Sequence, residues 1–294
     1  MTLPPPPRAI TPPPSRVAAT QAQPQGNKII TIGVRQPRPI VPRMVIYAVE
    51  KFGKTSLAAH APNPAILMCR DNGYDTLLSA GRVPAVPAAD INSFPELLDT
   101  VRGIAKNPAD RKTLVIDGLT GAERLCHEHV CNTVFDGDWG ERGFASFQKG
   151  YDLSATEWLK LILALDMVRD AGIAVVILAH ARQKSVKNPL GADYDRFEPD
   201  CHAKTWGPTA KWADAILFGK MHTIVEVDRR AARMKIAEQK GKAIGGTDRV
   251  LFSEPHDAWV AGNRYGMESE IWMQDTPPEG MYQRVIDSIK KPAA

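Results

Sequence analysis

"YAVEKFGKTSLAAHAP", residues Tyr47 to Pro62, carries Gly53-Lys54-Thr55 directly after an apolar run and at the head of a helical pattern. Counted back to Ala48, the stretch reads Ala-x-x-x-x-Gly-Lys-Thr, one residue short of the glycine-headed loop that cradles phosphates between a strand and a helix. The spacing has a chemical reason. Backbone N–H groups over Ala48, Val49, Glu50, Lys51, Phe52 and Gly53 can wrap a β-phosphate, with Gly53 permitting close approach. Lys54 reaches the β- and γ-phosphates, and the Thr55 hydroxyl, followed by Ser56, ligates Mg2+. Alanine at the head fits if its φ is negative and costs roughly 1 kcal/mol if it is positive, too little to abolish binding. The expected ligand is ATP with Mg2+; a glycine turn bearing an exposed lysine is the alternative.

Around this loop, apolar runs alternate with helical patterns. "IITIGV", "MVIYA", "AILMC", "TLVID" and "IAVVILAH" read as strands. Helices are expected from Lys54, from Phe94 to Ala105, from Leu119, and over "SATEWLKLILALDMVRDAG", with Ser154 as N-cap and Gly172 as the stop. Continuous apolar strands separated by helices imply burial on both faces, hence a mostly parallel sheet in an α/β sandwich. Beyond "DAILFG" the segments "HTIVEV", "RMKIAEQ" and "RVLFSE" lie close together and suggest an antiparallel C-terminal β extension.

Composition agrees with a globular chain: 294 residues, 44% hydrophobic and 24% charged. No apolar run approaches the roughly 18 residues of a membrane span, and the N-terminus is proline-rich where a secretory leader would be apolar, so the expected location is cytoplasmic. Four scattered cysteines fit reduced thiols better than a disulfide scaffold. Six basic residues precede the first acid, Glu50. Residues 1–27 are expected to form a disordered basic tail, because proline removes the amide donor and restricts its neighbour. Residues 28–275 would be one core, and 276–294 a C-terminal helix or tail.

"KTLVIDGLTG" supplies the companion to the loop. Leu114, Val115 and Ile116 form a strand that delivers Asp117 to the sheet's carboxyl edge, where open α/β sheets bind ligands. Asp117 would hold Mg2+ opposite Thr55; taken alone an aspartate ending a strand is more often a helix cap, an order that the preceding phosphate loop reverses. No acid follows Asp117, since the next residue is Gly118. Asp71, ending the strand before it, is the candidate to orient the attacking water, with a turn residue in "RDNG" as the other reading. His180, at the end of "VVILAH", is placed to sense a γ-phosphate.

Together "IYAVEKFGKTSLA", "DNGYDTLLSAGRVP", "LVIDGLTGAERL", "VVILAH", "KWADAILFG" and "LFSEPHDAWVAGNRYGM" resemble the AAA-domain, RecA-like P-loop ATPases of phage and prophage recombination modules, over about Arg43 to Met273. In that family a Glu often stands where Asp71 stands here. The resemblance implies a RecA-like core that binds single-stranded DNA and assists annealing or recombination, in the host cytoplasm if phage-encoded. It also implies a ring or filament of copies and a single-strand-binding protein as a further partner. A nucleotide-gated annealing module with vestigial hydrolysis is the second reading. A small-molecule kinase is disfavoured, because the candidate lid is acid-balanced and lysine-rich.

Three other stretches invite chemistry. "CHEHVC", Cys126 to Cys131, puts His127 and Cys131 at i, i+4, but four zinc ligands are not visible, and helix packing is the expectation. Ala181 to Thr205 reads as a long loop after the His180 strand, with Arg182, Lys184, Lys187, Arg196 and Lys204 as DNA contacts and Tyr194, Phe197 and Trp206 as stacking faces. "FDGDWGERGFASFQKGYD", Phe135 to Asp152, mixes aromatics and bases in the same way.

Overall fold

In the computed structural model the described residues are 33, 34, 36, 39–189, 191–227, 241–274 and 276–290. The expected basic tail and "RMKIAEQ" fall outside them. So does most of "IITIGV", of which Gly33 and Val34 are in no helix or strand.

Six strands lie parallel in the order β3 (Ala88–Ile91), β2 (Pro64–Cys69), β4 (Thr113–Asp117), β5 (Ala174–Val186), β1 (Arg43–Ala48) and β7 (Ala215–Val227). The sheet then continues antiparallel through β8 (Gly241–Phe252) and β10 (Glu270–Trp272). The expected parallel sheet with an antiparallel C-terminal extension is therefore the fold. Its strands are buried on both faces because both faces are apolar at period two. Val45 and Tyr47 of β1, Leu114 and Ile116 of β4, and Val175 and Ile177 of β5 enter one core layer. Ile46, Val115 and Val176 enter the other. The first layer is roofed by α3 (Phe94–Lys106), α4 (Leu119–Val134) and α5 (Lys149–Asp170); the second by α1 (Lys54–Ala59), α2 (Gly73–Ser79) and α7 (Met281–Asp287).

Two expectations are corrected. Ser154 is not an N-cap: α5 starts at Lys149, and the buried Ser154 hydroxyl donates to the Gly150 carbonyl at 2.8 Å. The expected helix started at Ser154, beyond Gly150, a poor helix former, yet this glycine is what lets the first turn lie on Phe144, since a Cβ there would sit 2.4 Å from that ring. Nor is Ala181 to Thr205 a loop. β5 runs on past the sheet to Val186 and pairs with β6 (Tyr194–Pro199), and α6 (Ala203–Trp212) follows. The ribbon has no apolar face to announce it. Across it Lys184 and Arg196, register partners, both hold the buried Glu198, at 3.3 and 2.6 Å.

The "AGNRYG" segment closes the core. Arg43 at the start of β1 makes bonds of 2.9 and 2.8 Å to Asp214, which also accepts from Arg264 and the Tyr265 hydroxyl at 3.0 Å each. Asn263 accepts from the amides of Tyr265 and Met267 and donates to Ser253. Tyr47 ties the same region to the central strand by donating to the Val260 carbonyl at 2.7 Å.

Candidate functional site

β1 ends at Ala48, whose register partners are His180 on β5 and Gly219 on β7. Ala48 is buried strand and is not among the residues with positive φ, so alanine carries no conformational cost at the head of the loop. Its methyl occupies space that Gly219 leaves free: a Cβ on Gly219 would lie 2.8 Å from that of Ala48 and 2.9 Å from the Phe52 ring. The positive φ values fall later, at Lys51 (59°) and Gly53 (99°). Lys51, Gly53, Lys54, Thr55 and Ser56 line a cavity of about 600 Å³. Ala48 and Phe52 instead pack beneath the loop, Val49 donates its amide to the Gly219 carbonyl at 3.1 Å, and Glu50 is exposed.

Lys54 is 9% exposed, and its Nζ reaches back to the Ala48 carbonyl at 3.4 Å. Burial holds its pKa below the usual lysine value, against the opposing pull of Asp117, Asp71 and Glu50. Asp117 is 4% exposed and accepts from the Thr55 hydroxyl at 2.9 Å. Burial, and then the charge of Asp71, push the Asp117 carboxyl up to about 6. Asp71 lines the same cavity and accepts from the Gly73 amide at 2.8 Å, so it is both a turn residue and a wall of the site. A Cβ on Gly73 would meet Asp71 Oδ1 at 3.0 Å and Thr55 Oγ1 at 3.8 Å, which puts those oxygens around one point. His180 completes the wall beside Lys54; burial and then the lysine's charge lower its pKa.

This donor set fits Mg2+ and a polyphosphate. Two carboxylates and a hydroxyl are hard oxygen ligands. One acid is buried and raised partly by its neighbour's charge, a repulsion that a divalent cation relieves. Among the described residues no cluster of three or more His, Cys, Asp or Glu could hold a metal ion. Cys126 Sγ donates to the Ser154 carbonyl, and all four cysteines are free and buried.

Sequence reasoning missed Thr76, Leu77, Arg82, Arg249, Pro278 and Met281, which also line the cavity. Arg82, in the turn after α2, and Arg249, within β8, follow no spacing rule relative to Gly53, so no local signal marks them. The expected stacking faces fare less well: Phe197 stacks on Phe218 at 5.1 Å and Trp206 packs on the core, leaving Tyr194 at the ribbon's end. In the second stretch Phe144 is buried, while Trp139 and Phe147 are exposed.

His127 lies against Phe144 and Tyr151 at 5.5 and 5.2 Å, and burial, with His202 nearby, pushes it down to about 4. The folded protein therefore holds it neutral while the unfolded chain protonates near 6.5. Its contribution is complete above pH 6.5 and is lost as pH falls toward 4, about 1–2 kcal/mol after discounting its partial exposure. Urea unfolding at pH 7.5 and pH 5 should show a smaller pH-dependent loss in His127→Gln than in wild type.

A family model described as an AAA domain matches residues 41–265. No curated protein matches the sequence. Among solved structures, a KaiC-like protein from the hyperthermophilic archaeon Pyrococcus horikoshii OT3 is similar at 12% identity, over 73% of this chain and 87% of that one, with a TM-score of 0.34. Among the described residues no helix is long and apolar enough to cross a membrane.

Proposed function

We propose that this chain, which belongs to the AAA-domain family, is a Mg2+-dependent ATPase of RecA type that acts on single-stranded DNA in annealing or recombination. One observation carries the nucleotide part. Lys54 and Thr55 after β1, Asp71 after β2, Asp117 at the end of β4 and His180 on β5 converge on a single cavity at the sheet's carboxyl edge.

The roles follow from that placement. Lys54, desolvated and rigidly seated, donates to phosphate oxygens as a point charge. Thr55 and Asp117 would hold Mg2+, which when bound neutralises charge on the phosphate oxygens. Asp71 accepts the proton of the attacking water, a step in which the turn bond from Gly73 keeps its carboxylate aimed. His180 sits on the strand between the loop strand and the Asp117 strand, where its ring can report the state of the terminal phosphate.

The DNA part rests on family resemblance and continuity of structure. β5 carries His180 at the cavity and continues directly into the β5–β6 ribbon with Arg182, Lys184 and Lys187. Movement at His180 is thereby linked to a ribbon of mixed charge, a two-state element that nucleotide can bias. Lys184 and Arg196 already share the buried Glu198, and Lys204 pairs with the exposed Asp152, so DNA would compete with these carboxylates for the three cations. Copies in a ring or filament, and a single-strand-binding protein, would be the partners.

Steady-state phosphate release with and without single-stranded DNA, alongside ATP affinity, is the test. Mg2+-dependent release stimulated several-fold by DNA is the expected result. Tight ATP binding without release would favour a nucleotide-gated annealing module, and absence of ATP binding would overturn both.

A further inference from the structure

We infer that Arg249 binds the polyphosphate of the nucleotide in cis, as a guanidinium delivered over the phosphate loop by the antiparallel part of the sheet. The inference rests on the ATP-binding reading above and adds to it a residue from outside the loop and the parallel strands.

Register explains how a residue so far along the chain reaches Gly53. Ala48 at the end of β1 pairs with Gly219, and Gly219 pairs with Leu251 on β8. β8 runs the opposite way, so Arg249, two residues before Leu251, lies two residues beyond the edge at which β1 stops. Side chains two apart on a strand share a face. Leu251 belongs to the core layer that contains Ala48, Phe52 and Leu57, the layer under the loop and α1. Arg249 therefore projects on the loop's side of the sheet, beyond its edge. A Cβ on Gly53 would lie 3.9 Å from Arg249 Nε, and Arg249 lines the cavity with Lys54 and Thr55.

The chemistry at that point is incomplete. Arg249 Nε is buried, and among the described residues it has no hydrogen-bond partner and no carboxylate pairs with the guanidinium. The contrast with Arg43 is direct: that guanidinium is saturated by Asp214 and Asp166. A buried donor without an acceptor costs free energy unless a ligand supplies one. The planar fork of arginine matches phosphate oxygens, and the backbone of β8 is pinned by the bond from the Met273 amide to the Arg249 carbonyl at 2.9 Å. An anion seated on Gly53 and Lys54 is the acceptor that this position lacks.

The test is equilibrium binding of a fluorescent ATP analogue with Mg2+, together with melting temperatures of the nucleotide-free proteins. Arg249→Gln should bind ATP about 10- to 100-fold more weakly, the range of a charge-assisted hydrogen bond. Arg249→Lys should recover only part of the loss, because it keeps the charge without the fork. The nucleotide-free melting temperature of Arg249→Gln should be unchanged or higher, since a buried unpartnered donor is removed; a structural arginine would lower it. Wild-type ATP affinity in Arg249→Gln overturns the inference. Should that variant fail to fold, Arg249→Lys carries the test, and wild-type affinity there overturns it equally. Wild type and Lys54→Ala separate the two readings: no ATP binding by wild type sinks the nucleotide site itself. Binding lost in Lys54→Ala but kept in Arg249→Gln sinks only the role of Arg249.

Discussion

Lys54→Ala is expected to lower ATP affinity by about 10²-fold or more while the protein stays folded. Lys54 is almost fully buried, and apart from the 3.4 Å approach to the Ala48 carbonyl its ammonium faces the cavity. Such a group contributes little to the nucleotide-free fold, because burial disfavours its charge, as its lowered pKa records. Its free energy is recovered when a phosphate arrives. Losing a charge-assisted bond in a desolvated site costs about 3 kcal/mol, which is the stated fold-change. Circular dichroism and melting should match wild type, and titration with the ATP analogue should show the loss. A folded variant with unchanged affinity would remove the phosphate loop from the mechanism.

Asp71→Asn is expected to keep ATP affinity and to lose turnover by at least about 10²-fold, the range of a lost general base. Asparagine can still accept the bond that Gly73 donates to Asp71 Oδ1, so the turn and the cavity wall should survive. Asp117→Asn should behave differently: removing its charge should raise the Mg2+ concentration needed for half-maximal activity, since Asp117, which accepts from the Thr55 hydroxyl, is proposed to hold Mg2+ with it. Asp71→Glu restores a longer acid and should speed hydrolysis if reach limits the present side chain. Equal turnover in Asp71→Asn and wild type would move the role of base elsewhere and strengthen the gated-annealing reading.

Much of the site was legible because its parts adjoin the apolar runs that announce the strands. Gly53-Lys54-Thr55 follows β1, Asp117 closes β4, and His180 lies where the apolar part of β5 ends. Each is a statement about one element and its terminus, and period-two apolarity is enough to find that terminus. The β5–β6 ribbon was not legible, because its alternation is polar on both faces and its pairing depends on Lys184 and Arg196 meeting Glu198. The start of α5 was missed for a related reason. Gly150 looks like a break until Phe144 is known to lie against it.

What the chain alone specified, then, was local: the parallel α/β layering, the loop at the end of β1, and the acid that closes β4. Packing decided the rest. Asp214 gathers Arg43 and the adjacent Arg264 and Tyr265 from two distant segments. Arg249 comes within reach of Gly53 only through two successive strand pairings, β1 with β7 and β7 with β8. A one-residue slip in either pairing would turn Arg249 to the other face of the sheet, and the register is held by side chains buried on both faces. Spacing along a chain encodes contacts within an element, whereas contacts between elements depend on which faces are buried against each other.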